Sequence, residues 1–361
     1  MNKADICIVS GNPFVYNLYI QNCRKNFLPM VDCLHVYRDL TFCPSYEKEI
    51  SRFYAESTLD VPVRLGNVAT SNDYAIFKTG YINQSAKAGK SKVFVSMHED
   101  FMILNGNVFQ NHIDLIANDE KDIVCNGFGT SCPEIDDLIR EWYPNVVACY
   151  KDKQQAFGVG DYWMMSREVI SDENIDPNPI VVRKGEVLND VLPNGEGYIM
   201  KEYAVPEPFI KMLLQVYKRG HQRVHVHSTE EHIAIFSLTN LKNFVDFYKI
   251  GYVHLNGGRY GHFFLNVTEK LHSLTFGDMM YLDWFVERLW TMTISYLLFF
   301  DFQKYPYLKE FAYSLFVPKI KQKLDEINAA SGRNVKMNVD MILMYGKQMG
   351  VETFPENVKN L

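Results

Sequence analysis

The sequence predicts an α/β protein: a mixed, mostly parallel sheet covered by helices on both faces, with a helical C-terminal region. Two observations predict it. Over the first hundred residues, strand-like apolar runs alternate with helix-like segments three times and then close on a fourth strand-like run. Strands separated in this way by helices pair in parallel and need covering on both faces. The chain is also long enough, at 361 residues and 47% hydrophobic, to bury the core such a sheet requires.

The first strand, Ile6–Val9, breaks at Ser10-Gly11-Asn12-Pro13, where Gly and Pro end it. A helix is expected from about Phe14 to Lys25, then a second strand at Cys33–Tyr37. Pro44 to about Ser57 reads as a helix with Pro in its first turn. Val61–Arg64 reads as a short third strand, its Pro marking an edge or a start. Ser71 caps a helix running to Ala88 and stopped by Gly89. The fourth strand, Lys92–Met97, runs into His98-Glu99-Asp100.

Beyond residue 100 the pattern loosens. Asn107–Asn118 reads as a helix, Asp122–Cys125 as a strand, Glu134–Trp142 as a helix and Val146–Cys149 as a strand. Phe157-Gly-Val-Gly160 contains G-x-G but lacks the rest of a dinucleotide fingerprint. Residues 172–197 are rich in Pro, Asn, Asp and Gly and read as loop with one short strand at Ile180–Arg183. A helix over Glu207–Arg219 leads to a strand carrying His225 and His227 on one face. Ser228 then caps a helix start with Glu230 and Glu231 in its first turn. Tyr252–Leu255 is a further strand, followed by a glycine-rich turn with Arg259 and His262. Residues 278 to about 302 and 317–349 read as mostly helical.

Composition narrows the function. The net charge is −6 and no long basic run occurs, which disfavours a nucleic-acid partner. Seven cysteines sit singly, with no C-x-x-C, so neither a disulfide framework nor a zinc knuckle is suggested. No apolar run is long enough to span a bilayer. The first strand starts at once, leaving no room for a signal peptide, and a cytoplasmic location is expected.

The residues that point to chemistry lie at strand ends. His98, Glu99 and Asp100 stand between two apolar runs, where charge is costly unless it is used. In an α/β sheet the carboxyl end of a strand is also where ligands bind. Acids facing water in a turn would look the same. The same-face pair His225 and His227, next to Glu230 and Glu231, can form a metal ligand set or a base site. Strand histidines followed by a capped helix would look the same too.

Three β-α units closed by an acidic triplet resemble the nucleotide-sugar half of GT-A-type glycosyltransferases. The family's triplet is D-x-D, whose last acid coordinates a metal bridging the two phosphates; here His98 stands in the first position. The resemblance implies Asp100 as metal ligand, with Glu99 and His98 beside it and a distant imidazole, His227, His225 or His262, completing the set. It places the nucleotide against Ser10, Gly11 and Asn12, with Tyr37, Asn72 and Asn83 nearby and Arg259 on the diphosphate. Gly160–Arg167 resembles an acceptor-floor segment of bacterial surface-sugar transferases. Ser228–His232 resembles a later helix start carrying an acid, and Phe285–Trp290 an E-R-L pattern. Residues 1–275 would be the catalytic domain, split into a nucleotide-sugar half (1–105) and an acceptor half (106–275). Residues 276–361 would be a helical extension.

The implied function is metal-assisted transfer of a sugar from a nucleotide-sugar donor to an acceptor hydroxyl. A Mn²⁺ or Mg²⁺ ion on oxygen ligands would stabilise the leaving diphosphate. Glu231, then Glu230 and Asp161, are the carboxylates expected to deprotonate the acceptor. That acceptor could be a glycan, a small molecule or a modified DNA base. Two other readings remain: a nucleotidyltransferase or hydrolase using His225 and His227 as metal ligands, and a non-catalytic glycan-binding relative.

Overall fold

The structure is a computed structural model describing residues 1–38, 40, 44–67, 81, 82, 84–97, 99, 101–103, 105–125, 162–171, 219–226, 231, 235–237, 300–316, 325 and 329. Strand β1 (Ala4–Ser10) is buried at all seven positions. It pairs in parallel with β2 (Val31–Arg38) on one side and β4 (Val93–Met97) on the other. Strand β3 (Val63–Asn67) extends the sheet beyond β2. On the far side of β4 come β7 (Tyr162–Ser166), β6 (Ile123–Cys125) and β8 (Val224–Val226), giving the order β3-β2-β1-β4-β7-β6-β8. Strand β7 is antiparallel to both neighbours, and every other pair in this sheet is parallel. Two short strands, β5 (Phe101–Ile103) and β9 (Ile235–Ser237), form a separate antiparallel pair.

The helices begin where the sequence punctuates. Helix α1 (Pro13–Asn22) has Pro13 in its first turn, and the Asn12 side chain accepts from the Phe14 N–H at 3.0 Å. Helix α2 (Glu47–Glu56) follows a 3₁₀ turn at Pro44–Tyr46. Residues 81, 82 and 84–88 are helical. Helix α3 (Gly106–Ala117) is capped by Asn105, and α4 (Arg167–Ser171) is a short turn after β7.

Several expectations change. The α-helix ends at Asn22 rather than Lys25, and the chain widens into a π turn over Cys23–Phe27. The third strand starts at Val63 rather than Val61; Pro62 has no N–H, and its carbonyl accepts from Leu34 N at 2.9 Å. The sequence predicts no strand at β5, β7 or β9. In β7 the first four residues are buried without alternation, so the period-2 signal of a strand is absent. Residues 300–302 are not helical, contrary to the helix expected to reach about 302, and residues 278–299 lie outside the described residues. The predicted elements at 134–142, 146–149, 180–183, 207–218 and 252–255 lie outside the described residues.

The two faces of the sheet differ in chemistry. Ile6 and Ile8 of β1, Leu34 and Val36 of β2, Val95 and Met97 of β4, and Tyr162 and Met164 of β7 join one apolar core. Helices α1, α2 and α3 supply its other wall through Phe14, Phe53, Phe109 and Ile113, among others. The late segment enters the same core. Phe14 meets Phe300 edge-on at 4.9 Å and stacks on Phe311 at 5.7 Å, and Phe53 meets Tyr305 at 4.9 Å.

The opposite face carries Asp5, Cys7, Cys33, His35 and Tyr37, all at alternate positions of β1 and β2. Asp5 Oδ2 accepts from the Lys90 and Ser91 N–H groups at 2.7 and 2.9 Å. That approach requires glycine at 89, where a Cβ would come within 2.2 Å of the same oxygen. The Arg167 guanidinium donates to the Gly89 and Ser91 carbonyls, fixing the turn that feeds β4. Burial holds the His35 imidazole near a pKa of about 4, with Arg64 and Arg167 adding to the effect, so it is neutral.

Phe14 bridges the first and last parts of this core. Phe14→Ala should destabilise the fold by about 3–5 kcal/mol, read as a lower denaturant midpoint. A loss under about 1 kcal/mol would mean that the 300–312 segment does not pack there.

Candidate functional site

In the sheet order, the chain moves outward from β1 to β3 and then returns to place β4 on the other side of β1. This order makes β1 and β4 a topological switch point, the place where such a sheet forms a crevice at the strands' carboxyl ends. Ligands bind at such switch points in open α/β sheets. The residues there are Ser10, Gly11 and Asn12 after β1, and Glu99 after β4.

This crevice is lined with polar groups inside an apolar wall. Ser10 Oγ is 2.5 Å from the Tyr54 hydroxyl of α2. The Tyr54 ring lies 4.7 Å from that of Tyr16, one turn into α1. Glu99 is 1% exposed. Burial raises both phenols, and the Glu99 carboxylate is close enough for its charge to raise them further. Asn12 spends its side-chain oxygen on capping α1. Its amide nitrogen and the Tyr16 hydroxyl are buried with no hydrogen-bond partner among the described residues. Two unsatisfied buried donors at one strand end are costly unless a ligand takes them.

The segment after the triplet is held by a side chain that mimics a strand. Asn22 of α1 donates its amide to the Ile103 carbonyl at 3.0 Å and accepts from the Ile103 N–H at 2.9 Å.

A second cluster forms at the same end of the sheet. The Nε2 atoms of His112 (α3) and His225 (β8) converge on Glu231, His112 at 3.2 Å from Oε1 and His225 at 3.0 and 3.1 Å from the two oxygens. Behind His112, Nδ1 lies 3.1 Å from the Tyr162 hydroxyl. Tyr162 begins β7 directly opposite Met97, the last residue of β4, so β4–β7 pairing joins this cluster to the crevice. His112 is fully buried, and desolvation lowers its pKa although Glu231 pulls the other way.

The cluster can act in two ways. Two imidazole N–H groups can hold a carboxylate in one orientation, or two lone pairs and the carboxylate can take a cation. One ligand atom from each of the three residues lies within 4.8 Å of the others. A cation with bonds of about 2.1 Å places neighbouring ligand atoms roughly 3.0–3.4 Å apart, close to the contacts seen here. Tyr162 on the distal nitrogen of His112 is also the kind of outer contact that orients a ligating histidine.

Of the sequence-predicted residues, Ser10, Asn12 and Glu99 gather in the crevice with Gly11 in the same loop. Glu231 meets His225. Tyr37 lies on the opposite face of the sheet, its ring stacked on Tyr81 at 4.3 Å and tight against Gly66. Its hydroxyl accepts from Ser85 Oγ at 3.2 Å, and burial pushes its pKa up to about 12. His98, Asp100, Asn72, Asn83, Asp161, His227, Glu230, Arg259 and His262 lie outside the described residues. The sequence points to none of Tyr16, Tyr54, His112 or Tyr162. Only His112 left a trace there, as a polar residue in the buried stripe Phe109, His112, Ile113, Ile116 of α3.

No family model matches the sequence, and no curated protein matches it. Among solved structures, the chain is similar to a mannosyltransferase from Pyrobaculum calidifontis in complex with GDP-Man and Mn²⁺. The match has 9% identity and a TM-score of 0.40 and covers 99% of this chain and 82% of that one. It is also similar to glucosyl-3-phosphoglycerate synthase from Mycobacterium tuberculosis, in complex with Mn²⁺, UDP and phosphoglyceric acid. Here identity is 10% and the TM-score 0.36, covering 69% of this chain and 75% of that one. No helix among the described residues is long and apolar enough to cross a membrane.

The neutral, buried His112 makes stability depend on pH. Its folded pKa is below the ordinary value of about 6.5, so below that pH the unfolded chain holds the extra proton. Stability should therefore fall as pH drops from about 7.5 to about 5.5. His112→Gln should reduce the dependence of the denaturant midpoint on pH over this window, the remainder coming from His35, whose folded pKa is also lowered. An unchanged slope would mean that His112 is protonated in the folded protein.

Proposed function

We propose that the chain is a glycosyltransferase that moves a sugar from a nucleotide-diphosphate donor to an acceptor hydroxyl. The observation that carries this reading is the switch-point crevice, where two buried donors have no hydrogen-bond partner among the described residues and the buried Glu99 carboxylate lies close to them. The Asn12 amide and the Tyr16 hydroxyl suit the oxygens of a nucleotide diphosphate. Glu99 suits a cation that accompanies those phosphates.

Carboxylates are hard oxygen ligands, so the donor set at this point fits Mn²⁺ or Mg²⁺. Glu99 and Asp100 would hold the ion, with His98 and His227 as the neighbouring imidazoles. When bound, the ion supplies Lewis-acid stabilisation of the charge that grows on the leaving diphosphate. The remaining work falls to the protein. Ser10, Gly11 and Asn12 orient the nucleotide at the start of α1. Glu231 takes the proton from the acceptor hydroxyl, while His225 and His112 keep its carboxylate turned one way and Tyr162 fixes the His112 ring. Its side chain is 22% exposed, within reach of an incoming acceptor. Glu230 and Asp161 are the alternative bases, and Arg259 a further diphosphate contact.

Donor binding is read as a thermal shift against UDP-, GDP- and CMP-sugars with and without Mn²⁺. One nucleotide class should stabilise the protein in a metal-dependent way, by about 2.7 kcal/mol at a hundredfold excess over Kd. Asp100→Ala should abolish the metal-dependent part. Glu231→Gln should keep the shift and lose transfer by roughly 10²–10⁴-fold. No shift with any sugar nucleotide removes the reading.

The convergence of His112, His225 and Glu231 at 3.0–3.2 Å favours a second reading, a metal-dependent hydrolase or nucleotidyltransferase centred on that cluster. It requires Mn²⁺ or Zn²⁺ to stabilise the protein without any nucleotide, an effect lost in His225→Ala.

A further inference from the structure

A third polar cluster lies on the other face of the sheet and at its other end. Asp5 of β1 pairs in register with Cys33 of β2, and His35 follows two residues on, so all three side chains share one face. They are 1%, 6% and 2% exposed. One ligand atom from each lies within 4.8 Å of the others. Asp5 Oδ1 and His35 Nε2 are buried with no hydrogen-bond partner among the described residues. From Ser10, at the crevice, Asp5 is five residues away along β1, or roughly 17 Å.

The turn at 89–91 explains one oxygen of Asp5 and nothing more. Oδ2 is occupied by the Lys90 and Ser91 N–H groups, while Oδ1 has no hydrogen-bond partner among the described residues and the carboxylate lies close to Cys33 and His35. A buried carboxylate oxygen and a buried neutral imidazole nitrogen, both without partners and beside a thiol, are an unstable combination unless something satisfies all three.

We propose that Asp5, Cys33 and His35 bind a zinc ion that fastens β1 to β2. Carboxylate, thiolate and imidazole together are a zinc set rather than a magnesium or calcium set. On binding, the Cys33 thiol gives up its proton to solvent and its sulfur lone pair forms the metal bond. The Asp5 and Cys33 anions then balance the two positive charges of the ion, and a water takes the fourth position. The two guanidinium groups nearby are anchored elsewhere. Arg64 donates to the Ala88 carbonyl at 2.6 Å, and Arg167 to the Gly89 and Ser91 carbonyls while keeping 3.9 Å from Asp5 Oδ2. Two anionic ligands leave the bound ion with no net charge for them to repel.

The full chain, purified without chelator, should carry stoichiometric zinc by elemental analysis, and its thermal midpoint should drop when the zinc is stripped. Cobalt substitution should give a near-ultraviolet thiolate-to-cobalt band, absent in Cys33→Ser. Asp5→Asn keeps an oxygen for the Lys90 and Ser91 N–H groups and should lower zinc affinity roughly tenfold or more. That variant tests the site even where Cys33→Ser does not fold. A chain that binds no zinc, with Cys33 titrating as a free thiol, overturns the proposal. So does bound zinc with no thiolate band in the cobalt protein, or unchanged affinity in Asp5→Asn.

Discussion

Everything in this protein hangs on β1 having a parallel partner on each edge. A parallel pair cannot be closed by a hairpin, so each neighbour of β1 must be reached through a crossover that lies on one face of the sheet. Placing β2 and β4 on opposite sides of β1 sends the two crossovers apart. The crevice that results belongs to neither loop alone. It exists because β1 is central, and β1 is central because its seven residues can be buried on both faces.

The same pairing ties the polar groups of the site to one another. The residue that ends β4, Met97, faces the residue that begins β7, Tyr162, and Tyr162 contacts His112, which contacts Glu231. Beyond the triplet, the Asn22 amide pairs with Ile103 as a neighbouring strand would, so the chain leaving the crevice is fixed on both sides of residues 98–100. An amide is suited to this because it donates and accepts at once. Charge within the crevice is thus embedded in a frame of packed aromatic rings and backbone pairs that keeps water out of most of it.

The first half of the fold was legible because its signals are local. Strand and helix alternate over short distances, and Asn12, Pro13 and Gly89 mark boundaries by their own backbone chemistry. Strand β7 was not legible, since a strand buried on both faces shows neither the period of a strand nor that of a helix. Of the site, Ser10, Asn12 and Glu99 could be named from position alone, as residues at the ends of predicted parallel strands. Glu231 and His225 could be named as neighbours in sequence. His112 and Tyr162 could not, because their part depends on tertiary packing that brings together residues 50 positions apart (His112 and Tyr162) and 119 positions apart (His112 and Glu231). Tyr37 shows a related limit: the end of a strand can be read from sequence, but not which face a given side chain leaves by, here the face opposite that of Ser10.

The aromatic contacts of Phe14 and Phe53 have a consequence for the birth of the protein. Their partners, Phe300, Tyr305 and Phe311, are translated about 240 residues after α2. At ribosomal speeds of roughly 5–20 residues per second, this leaves an interval of about 12–50 s. During that interval the first β-α units can pair and collapse, but one side of their core has no cover. A nascent chain with that much bare aromatic surface is a natural client for a chaperone, and it stays one until the last sixth of the sequence emerges.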